Sequence, residues 1–349
     1  MYETIYVEKN KSSRFGIHIY DDSAQWKVFC ENCGIAEKKY AAICNADLQA
    51  DEWKSLVLSF DSILEIKEDD DTAGMKIREF LDQHKGNTFV ILNEPFIMEA
   101  LQDIMTNDDA KISYIFVPVT PFSFFDAISL KPQADKNGEI IRKELFPVGV
   151  YADISILIKA KTEAFLGGVA SAFRLSISHK ASMFEWMIYN LYELLDCEKD
   201  TITELLTRGY HVQKERIEKD TAKERSLPIY GYNFYKILKE GGIKVTDGDL
   251  WSLAMVCQSY LSWKSELLSM EEYYEIRDMF VAFGLSISET DAPVEMLMNH
   301  MENSKYNLLF EKELIFIRKI GKILLHETPG REVITEAFEQ IYYNEEAND

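Results

Sequence analysis

The sequence contains no apolar run of roughly 18 residues, the length that a helix needs to cross a bilayer. Its first residues, MYETIYVEKNKSSR, are charged and polar, so they lack the apolar core of a secretory signal. Walker loops and Ser/His/Asp arrangements are also missing. These absences predict a soluble, cytoplasmic protein with no membrane contact, and they argue against an NTPase or a serine hydrolase.

Positive charge is scarce in this chain. Lysine and arginine total 38 against 59 aspartate and glutamate residues, which gives a formal net charge of −21 at pH 7. A field of this sign repels nucleic acids and anionic membranes, so we expect neither as a partner. It also means that any anionic ligand must be held by a few cations clustered locally.

Cysteine is limited to five scattered residues. Cys30 and Cys33 form one C-x-x-C in the segment FCENCG. A structural zinc site would need a second pair or histidines nearby, and the neighbouring sequence has neither. We therefore predict ordinary reduced thiols in a reducing compartment.

The pattern of apolar residues changes about half-way along the chain. Up to residue 158, short apolar runs of strand length alternate with segments of helical periodicity, and beyond it helical periodicity dominates. The predicted strands of the first part are residues 15–20, 40–45, 87–93 and 112–119. The sequence thus predicts an α/β N-terminal domain with a largely parallel sheet (1–158) and a mostly α-helical C-terminal domain (159–349).

Four stretches, occurring in this order, carry a family resemblance. They are YIFVPVTPFSFFDA (114–127), KELFPVGVYADISIL (143–157), GGVASAFRLSISHKASMFEWM (167–187), and ERSLPIYGYNFYKILKEGG followed by TDGDLWSLAM (224–255). They resemble segments of the sugar phosphate cyclases, and of 3-dehydroquinate synthase in particular, with glycerol dehydrogenase-type enzymes as more distant relatives. The resemblance covers nearly the whole chain. It implies a dehydroquinate synthase-like fold and a homodimer.

The resemblance also implies demanding chemistry. Members of this family bind NAD and a divalent metal, oxidise a hydroxyl transiently, eliminate phosphate and close a carbocycle by aldol addition. NAD removes and returns the hydride, while the metal lowers the pKa of a substrate hydroxyl and polarises a carbonyl. Cationic side chains hold the phosphate and the carboxylate of the substrate.

The family's metal ligands are substituted in this sequence. The glutamate of the family's LAEVIK corresponds to Ser171, and the histidines of GHTFGH and HGEA correspond to Tyr232 and Asp247. A further histidine of that segment corresponds to Lys236. Neutral hydroxyls are poor zinc ligands, and an ammonium group repels a divalent cation. We therefore expect no divalent metal here.

The family's nucleotide-binding turn, GGGVVGD, is altered as well. The corresponding strand runs into Asn93, Glu94 and Pro95. Glycine lets a backbone approach a pyrophosphate and present its N–H groups, whereas proline has no N–H and glutamate adds negative charge. We therefore expect no bound NAD, and hence no cofactor at all.

What the sequence retains is mostly cationic. The positions that match substrate-binding residues of the family are Asp126, Lys143, Arg174, Arg225 and Lys305. Arg174 replaces the lysine of LAEVIK and keeps its charge, with a guanidinium suited to bidentate binding of carboxylate or phosphate. If the cations converge, they form an anion-binding cleft; otherwise they are surface charges.

Three functions remain open at this point. One is a pseudoenzyme that has lost the NAD- and metal-dependent cyclase reaction and binds an anionic metabolite or an active partner. Another is a metal- and NAD-independent enzyme acting on a phosphorylated or carboxylated sugar-like substrate, with His179 or His211 as a candidate base. The last is an active cyclase of the carbon–oxygen lyase type, which would require the alignment to be shifted at two separate sites.

Overall fold

A computed structural model gives the fold of the chain. It describes residues 3–10, 13–21, 25–46, 56, 60–67, 70–93, 96–98, 100, 101, 104, 112–126, 133, 134, 140, 141, 146–158, 162–219, 230–290, 292–303, 307, 310 and 313–343. The chain divides into two compact units. The first comprises residues 1–160 and 213–226, and the second comprises residues 161–212 and 227–349.

The first unit is built on a seven-stranded sheet in the order β1-β2-β9-β6-β5-β3-β4. Its strands are β1 (Glu3–Asn10), β2 (Ser13–Tyr20), β3 (Tyr40–Asn45), β4 (Ser62–Ile66), β5 (Thr88–Asn93), β6 (Tyr114–Pro118) and β9 (Gly149–Asp153), with a separate two-stranded pair of β7 (Gln133–Ala134) and β8 (Ile140–Ile141). Strands β1 and β2 are antiparallel, and the remaining pairs of the large sheet are parallel.

The central strands form because their sequences suit burial on both faces. All five residues of β6 (YIFVP) and of β9 (GVYAD) are buried, as are the first five of β3 (YAAICN). Continuous apolar runs of this kind are typical of parallel strands covered by helices. At the sheet edge, β4 alternates between half-buried and exposed residues until Ile66.

The helices of the first unit are short. They are α1 (Trp26–Asn32), α2 (Ala73–Gln83), α3 (Pro121–Asp126) and α4 (Ile154–Leu157). The last turns of a long helix, α8 (Lys199–Lys219), belong to the same unit. They are held there because Gln213 Nε2 donates to the Phe125 carbonyl at 2.8 Å and Lys214 Nζ donates to the Tyr6 carbonyl at 2.7 Å.

The second unit is mostly helical. Besides residues 199–212 of α8, its elements are α5 (Thr162–His179), α6 (Ala181–Tyr189), α7 (Leu191–Leu195), α9 (Tyr232–Glu240), α10 (Asp247–Lys264), α11 (Met270–Ala282), α12 (Val294–Asn303), β10 (Glu313–Lys319), β11 (Lys322–Glu327) and α13 (Arg331–Glu339). The fold class predicted from the sequence, a largely parallel α/β part and a mostly helical part, is confirmed.

Helix α10 forms the centre of the second unit. Every residue from Leu250 to Ser262 is buried. The helix begins at a capping pair, in which the Thr246 hydroxyl oxygen accepts the Asp249 N–H at 3.1 Å and the Thr246 hydroxyl donates to the Asp249 carboxylate at 2.7 Å. A helix buried on all sides has no amphipathic stripe, and α10 suits this position because most of its buried residues are apolar.

The β10–β11 hairpin packs onto α10 through side-chain hydrogen bonds. Gln258 Nε2 donates to the Ile315 carbonyl at 2.7 Å, and the Ser262 hydroxyl accepts the Ile317 N–H at 3.0 Å. The sequence analysis did not predict this hairpin. Among the described helices, none combines the length and the apolar character required for crossing a bilayer.

Candidate functional site in the helical unit

The glycine pair that opens the segment GGVASAFRLS allows a close helix crossing. A Cβ atom added to Gly248 at the start of α10 would lie 3.1 Å from both the Cα and the N of Gly167 on α5. Such contacts are too short for ordinary side chains, so the two helices need glycine where they meet. This crossing brings the first turn of α10 next to the first half of α5, and Ser171 and Arg174 follow on α5.

Ser171 and Arg174 are both inside the second unit. Ser171 is fully buried, and its hydroxyl makes no hydrogen bond to any described residue. Arg174, one turn further on, is 3% exposed. Residues three apart on a helix lie on neighbouring parts of its surface, so a hydroxyl donor and a guanidinium are adjacent here.

Arg174 is supported by an aromatic stack. Its guanidinium carbon lies 4.2 Å from the centre of the Trp251 ring, and Trp251 stacks on Tyr235 with ring centres 4.2 Å apart and planes 10° apart. Trp251 is fully buried and comes from α10, whereas Tyr235 comes from α9. The stack therefore connects the three helices that carry the predicted site residues.

Asp247 is engaged by its own neighbours. The Tyr235 hydroxyl donates to Asp247 Oδ1 at 3.1 Å, and Lys239 Nζ lies 3.4 Å from the same oxygen. The Lys239 ammonium also donates to the Tyr235 hydroxyl at 3.3 Å. The carboxylate is thus part of a hydrogen-bonded group at the half-exposed start of α10.

Tyr232 and Lys236 lie one turn apart on α9 and are both buried, at 3% and 8% exposure. Lys236 Nζ is 5.9 Å from the centre of the Tyr232 ring. In the described part of the second unit, the buried charged side chains are Arg174 and Lys236, and no aspartate or glutamate is buried there. Both buried charges are therefore positive in a protein of net charge −21.

The three positions that match metal ligands of the family carry side chains of a different kind. Ser171 and Tyr232 offer neutral hydroxyls, and the Asp247 carboxylate is paired with Lys239. Within the described ranges, no group of three or more histidine, cysteine, aspartate or glutamate side chains could hold a metal ion.

Several other predicted positions lie outside the described residues. These are Lys143, Arg225, Lys305, Glu94 and Pro95. Asn93 is the last residue of β5, and Asp126 is the last residue of α3, but their side chains also lie outside the description. Of the predicted cations, the structure therefore describes Arg174 alone, and convergence of the four stays a prediction.

The two candidate histidines lie on α5 and α8. His179 is the last residue of α5, where its Nδ1 contacts the Ser178 hydroxyl. His211 is exposed on α8.

The C-x-x-C pair lies in the first unit, and its thiols are free. Contrary to the expectation that no histidine is near, Cys33 Sγ lies 3.8 Å from His18 Nε2, because the end of α1 packs beside β2. Burial raises the pKa of the Cys33 thiol to about 12 and lowers the pKa of His18. Both groups are thus held in their neutral forms, unlike a reactive thiolate pair.

Sequence reasoning missed Trp251, and it did not connect Tyr235 with Arg174. Tyr235 lies three residues after Tyr232, and Trp251 lies four after Asp247, so each is one helical turn from a predicted position. That spacing is the one signal that could have identified them.

No family model matches the chain. It is 21% identical over 234 residues to the 3-dehydroquinate synthase of Thermoanaerobacter pseudethanolicus, and 23% identical over 228 residues to that of Thermodesulfovibrio yellowstonii. These matches cover 64% and 62% of the chain. They span 65% and 62% of the two relatives, which is less than two thirds of either length.

Solved structures share the fold over almost the full chain. The 2-epi-5-epi-valiolone synthase of Streptomyces hygroscopicus, with NAD+ and Zn2+ bound, matches with a TM-score of 0.75 at 10% identity, covering 95% of this chain and 98% of that one. A 2-deoxy-scyllo-inosose synthase complexed with carbaglucose-6-phosphate, NAD+ and Co2+ matches with a TM-score of 0.71 at 12% identity, covering 96% and 99%. The chain is thus similar in sequence to 3-dehydroquinate synthases and has the fold of these two cyclases.

The expectation that this chain holds neither NAD nor a divalent metal was wrong. Both structural neighbours were solved with NAD+ and a divalent metal, Zn2+ in one and Co2+ in the other. The expectation rested on substituted side chains. Nucleotide binding at such a turn depends largely on backbone N–H groups, so side-chain substitutions do not establish loss of the cofactor.

Proposed function

We propose that this chain is a sugar phosphate cyclase-like protein that binds an anionic, sugar-like metabolite in its helical unit and does not close a carbocycle. The observation that carries the proposal is that the buried charged side chains described in that unit, Arg174 on α5 and Lys236 on α9, are both cationic. A guanidinium and an ammonium group bind carboxylate and phosphate oxygens through charge-assisted hydrogen bonds.

The arrangement on α5 supports an anion with oxygen acceptors. The Ser171 hydroxyl has no acceptor among the described residues, and Arg174 presents its guanidinium one turn away. A carboxylate or phosphate group accepts hydrogen bonds from a hydroxyl and from a guanidinium together. Stacking on Trp251 fixes the plane of the guanidinium, which favours bidentate binding over a diffuse ion pair.

The side chains at the positions that match the family's metal ligands support binding without cyclisation. Ser171, Tyr232 and the paired carboxylate of Asp247 would give a bound metal ion a different ligand set from the glutamate and histidines of an active cyclase. Five free cysteines support a cytoplasmic location, where thiols stay reduced. The predicted homodimer remains part of the proposal by resemblance.

Calorimetric binding of carbaglucose-6-phosphate tests the proposal, with NAD+ and Zn2+ or Co2+ supplied because the neighbours hold them. We expect Arg174→Gln to weaken binding by about tenfold or more, since it removes a charge-assisted hydrogen bond. The matched control is Arg208→Gln, which removes a half-buried arginine that is stacked on Trp186 instead. Equal affinity of wild type and Arg174→Gln would overturn the proposed site.

A second assay measures phosphate release from glucose 6-phosphate, with NAD+ and Zn2+ or Co2+ supplied as before. It shows whether the protein turns a sugar phosphate over or only binds it. We expect no turnover with or without NAD+ and metal. Turnover that requires both would identify an active cyclase, and turnover that requires neither would identify the metal- and NAD-independent enzyme. Either result overturns the assignment of a binding function.

A further inference from the structure

Three aromatic residues, Trp186, Tyr189 and Tyr192, form an exposed patch on α6 and α7, which we call the aromatic patch. Tyr189 is 86% exposed and Tyr192 is 77% exposed, while Trp186 is half-buried. The three residues are spaced by three along nearly continuous helix, because the Asn190 N–H still bonds to the Trp186 carbonyl at 3.1 Å. Tyrosines with so much surface in water contribute little to the folding of their own chain.

The aromatic patch is surrounded by carboxylates. Glu185 and Glu193 lie four residues before and after Tyr189, and Asp196 lies four residues after Tyr192. All three acids are exposed. Between residues 181 and 198 the sequence contains no lysine, arginine or histidine. Each tyrosine ring therefore has a carboxylate one helical turn away and no cation of its own segment beside it.

On the neighbouring helix α8, one arginine contacts both an aromatic ring of the patch and a carboxylate. Arg208 on α8 places its guanidinium carbon 4.9 Å from the centre of the Trp186 ring. Its Nη2 is 2.6 Å from Glu204 Oε1 and its Nε is 2.9 Å from the same oxygen. Stacking on an aromatic face and pairing with a nearby carboxylate are thus satisfied by one arginine at the edge of the aromatic patch.

From this arrangement we infer that the aromatic patch docks an arginine-rich, amphipathic segment of another protein, whose guanidinium groups stack on Tyr189 and Tyr192 and pair with the adjacent carboxylates. Charge complementarity selects this occupant. A second copy of the chain would bring Glu185, Glu193 and Asp196 against the same acids, in a protein of net charge −21. The inference does not depend on the proposed function.

The probe for this surface is a helical peptide in which arginine and leucine alternate along one side. Its affinity for the full chain is measured by fluorescence anisotropy, together with that of two matched peptides in which the arginines are replaced by lysine or by glutamate. We expect the arginine peptide to bind several times more tightly than the lysine peptide, since guanidinium stacks better on aromatic rings. The glutamate peptide should not bind.

The variant Tyr189→Ala/Tyr192→Ala should weaken binding of the arginine peptide by about tenfold or more, because it removes both stacking surfaces. The control is Tyr343→Ala, which removes a tyrosine of 45% exposure outside the aromatic patch. The variant Glu185→Gln/Glu193→Gln should weaken binding several-fold at low salt, and the difference should shrink at high salt. Since all these side chains are exposed, unchanged thermal unfolding will show that the variants fold.

Four results would overturn the inference. They are no binding of the arginine peptide, equal binding of the arginine and lysine peptides, equal loss with Tyr343→Ala, and dissociation of a dimer by the Tyr189→Ala/Tyr192→Ala variant in sedimentation. Equal binding of the arginine and lysine peptides would mean that the aromatic patch attracts cations without specificity. Dissociation of a dimer would mean that the aromatic patch contacts a second copy of the chain.

Discussion

The guanidinium carbon of Arg174 lies 4.2 Å from the centre of the Trp251 ring, inside a unit where the side chains of both residues are almost fully removed from water. Cation–π attraction is stronger in such surroundings because neither partner is hydrated. The contact joins α5 to α10, and the stacking of Trp251 on Tyr235 extends it to α9. A change at Arg174 is therefore expected to affect both ligand affinity and the stability of the unit.

A double-mutant cycle on Arg174→Met and Trp251→Leu measures this contact. We expect a coupling free energy of about 1–2 kcal/mol in urea unfolding, as for other desolvated cation–π pairs. The control cycle uses Lys264→Met and Trp263→Leu, a pair on the half-exposed surface with Nζ 5.6 Å from the ring centre, and it should give a smaller coupling. Equal coupling free energies in the two cycles would contradict the expectation that burial strengthens the cation–π contact.

Ser171→Ala should separate stability from binding. Its hydroxyl is buried without a hydrogen-bond partner among the described residues, so removing it should stabilise the ligand-free protein by about 1 kcal/mol. If the same hydroxyl donates to the anionic ligand, affinity for carbaglucose-6-phosphate should fall about three- to tenfold. Ser262→Ala is the matched control, since that buried hydroxyl accepts the Ile317 N–H and its loss should destabilise. Destabilisation by Ser171→Ala would mean that the hydroxyl already has a partner.

Gly248→Ala should disrupt the crossing of α5 and α10. The added methyl would lie 3.1 Å from the backbone of Gly167, which cannot rotate away, so we expect a loss of about 1–3 kcal/mol in urea unfolding. Gly74→Ala, at a helical position with nothing within 4 Å, should instead stabilise by about 0.5–1 kcal/mol. Similar effects of the two substitutions would show that the crossing is not tightly packed.

The Cys33 thiol should resist alkylation at pH 8. Because burial raises its pKa to about 12, its thiolate fraction should be smaller than that of a free cysteine by about 100-fold or more. The raised pKa also fixes the sign of the effect on stability. The neutral Cys33 thiol contributes its full stabilisation of the folded state below pH 9, the pKa of this thiol in the unfolded chain. That stabilisation is lost as the pH rises towards 12.

Alkylation by iodoacetamide, mapped by mass spectrometry, and unfolding curves between pH 8 and 11 check these expectations. Cys33→Ser should make the decline of stability with pH less steep, because serine does not titrate in this range. Modification of Cys33 at the rate of a free thiol, or an unchanged decline in the serine variant, would show that the thiol is accessible to water.

The central strands could be predicted from the sequence because each is uniformly apolar and short. Residues 40–45 and 87–93 were predicted as strands, and β3 and β5 occupy nearly those bounds. The edge strand β4 (SILEI) was missed. One of its faces is exposed to solvent and an acidic run follows it, so its sequence lacks the continuous apolar pattern of a buried strand. The β10–β11 hairpin was missed because it lies among helices and is held by side chains of α10.

The residues of the candidate site that could be predicted are those that lie within sequence segments matching the family. Ser171, Arg174, Tyr232 and Asp247 were identified by matching segments, and the structure places them on three helices connected by Trp251. Trp251 itself could not be identified, because its role depends on residues about 80 and 16 positions earlier in the sequence. The cofactor expectation failed for a related reason, since side-chain identity says little about binding through the backbone.

Helix α10 makes two different sets of contacts, one in its first turns and one further along its length. Its first turns bear Asp247 and Trp251 beside the candidate site, whereas Gln258 and Ser262 further along hold the hairpin, and the Cys257 thiol donates to the Ala337 carbonyl of α13. Substitutions in the first turns can alter ligand chemistry while the later turns keep the unit assembled. Such a division allows the residues near the candidate site to vary while the helical scaffold that supports them stays the same.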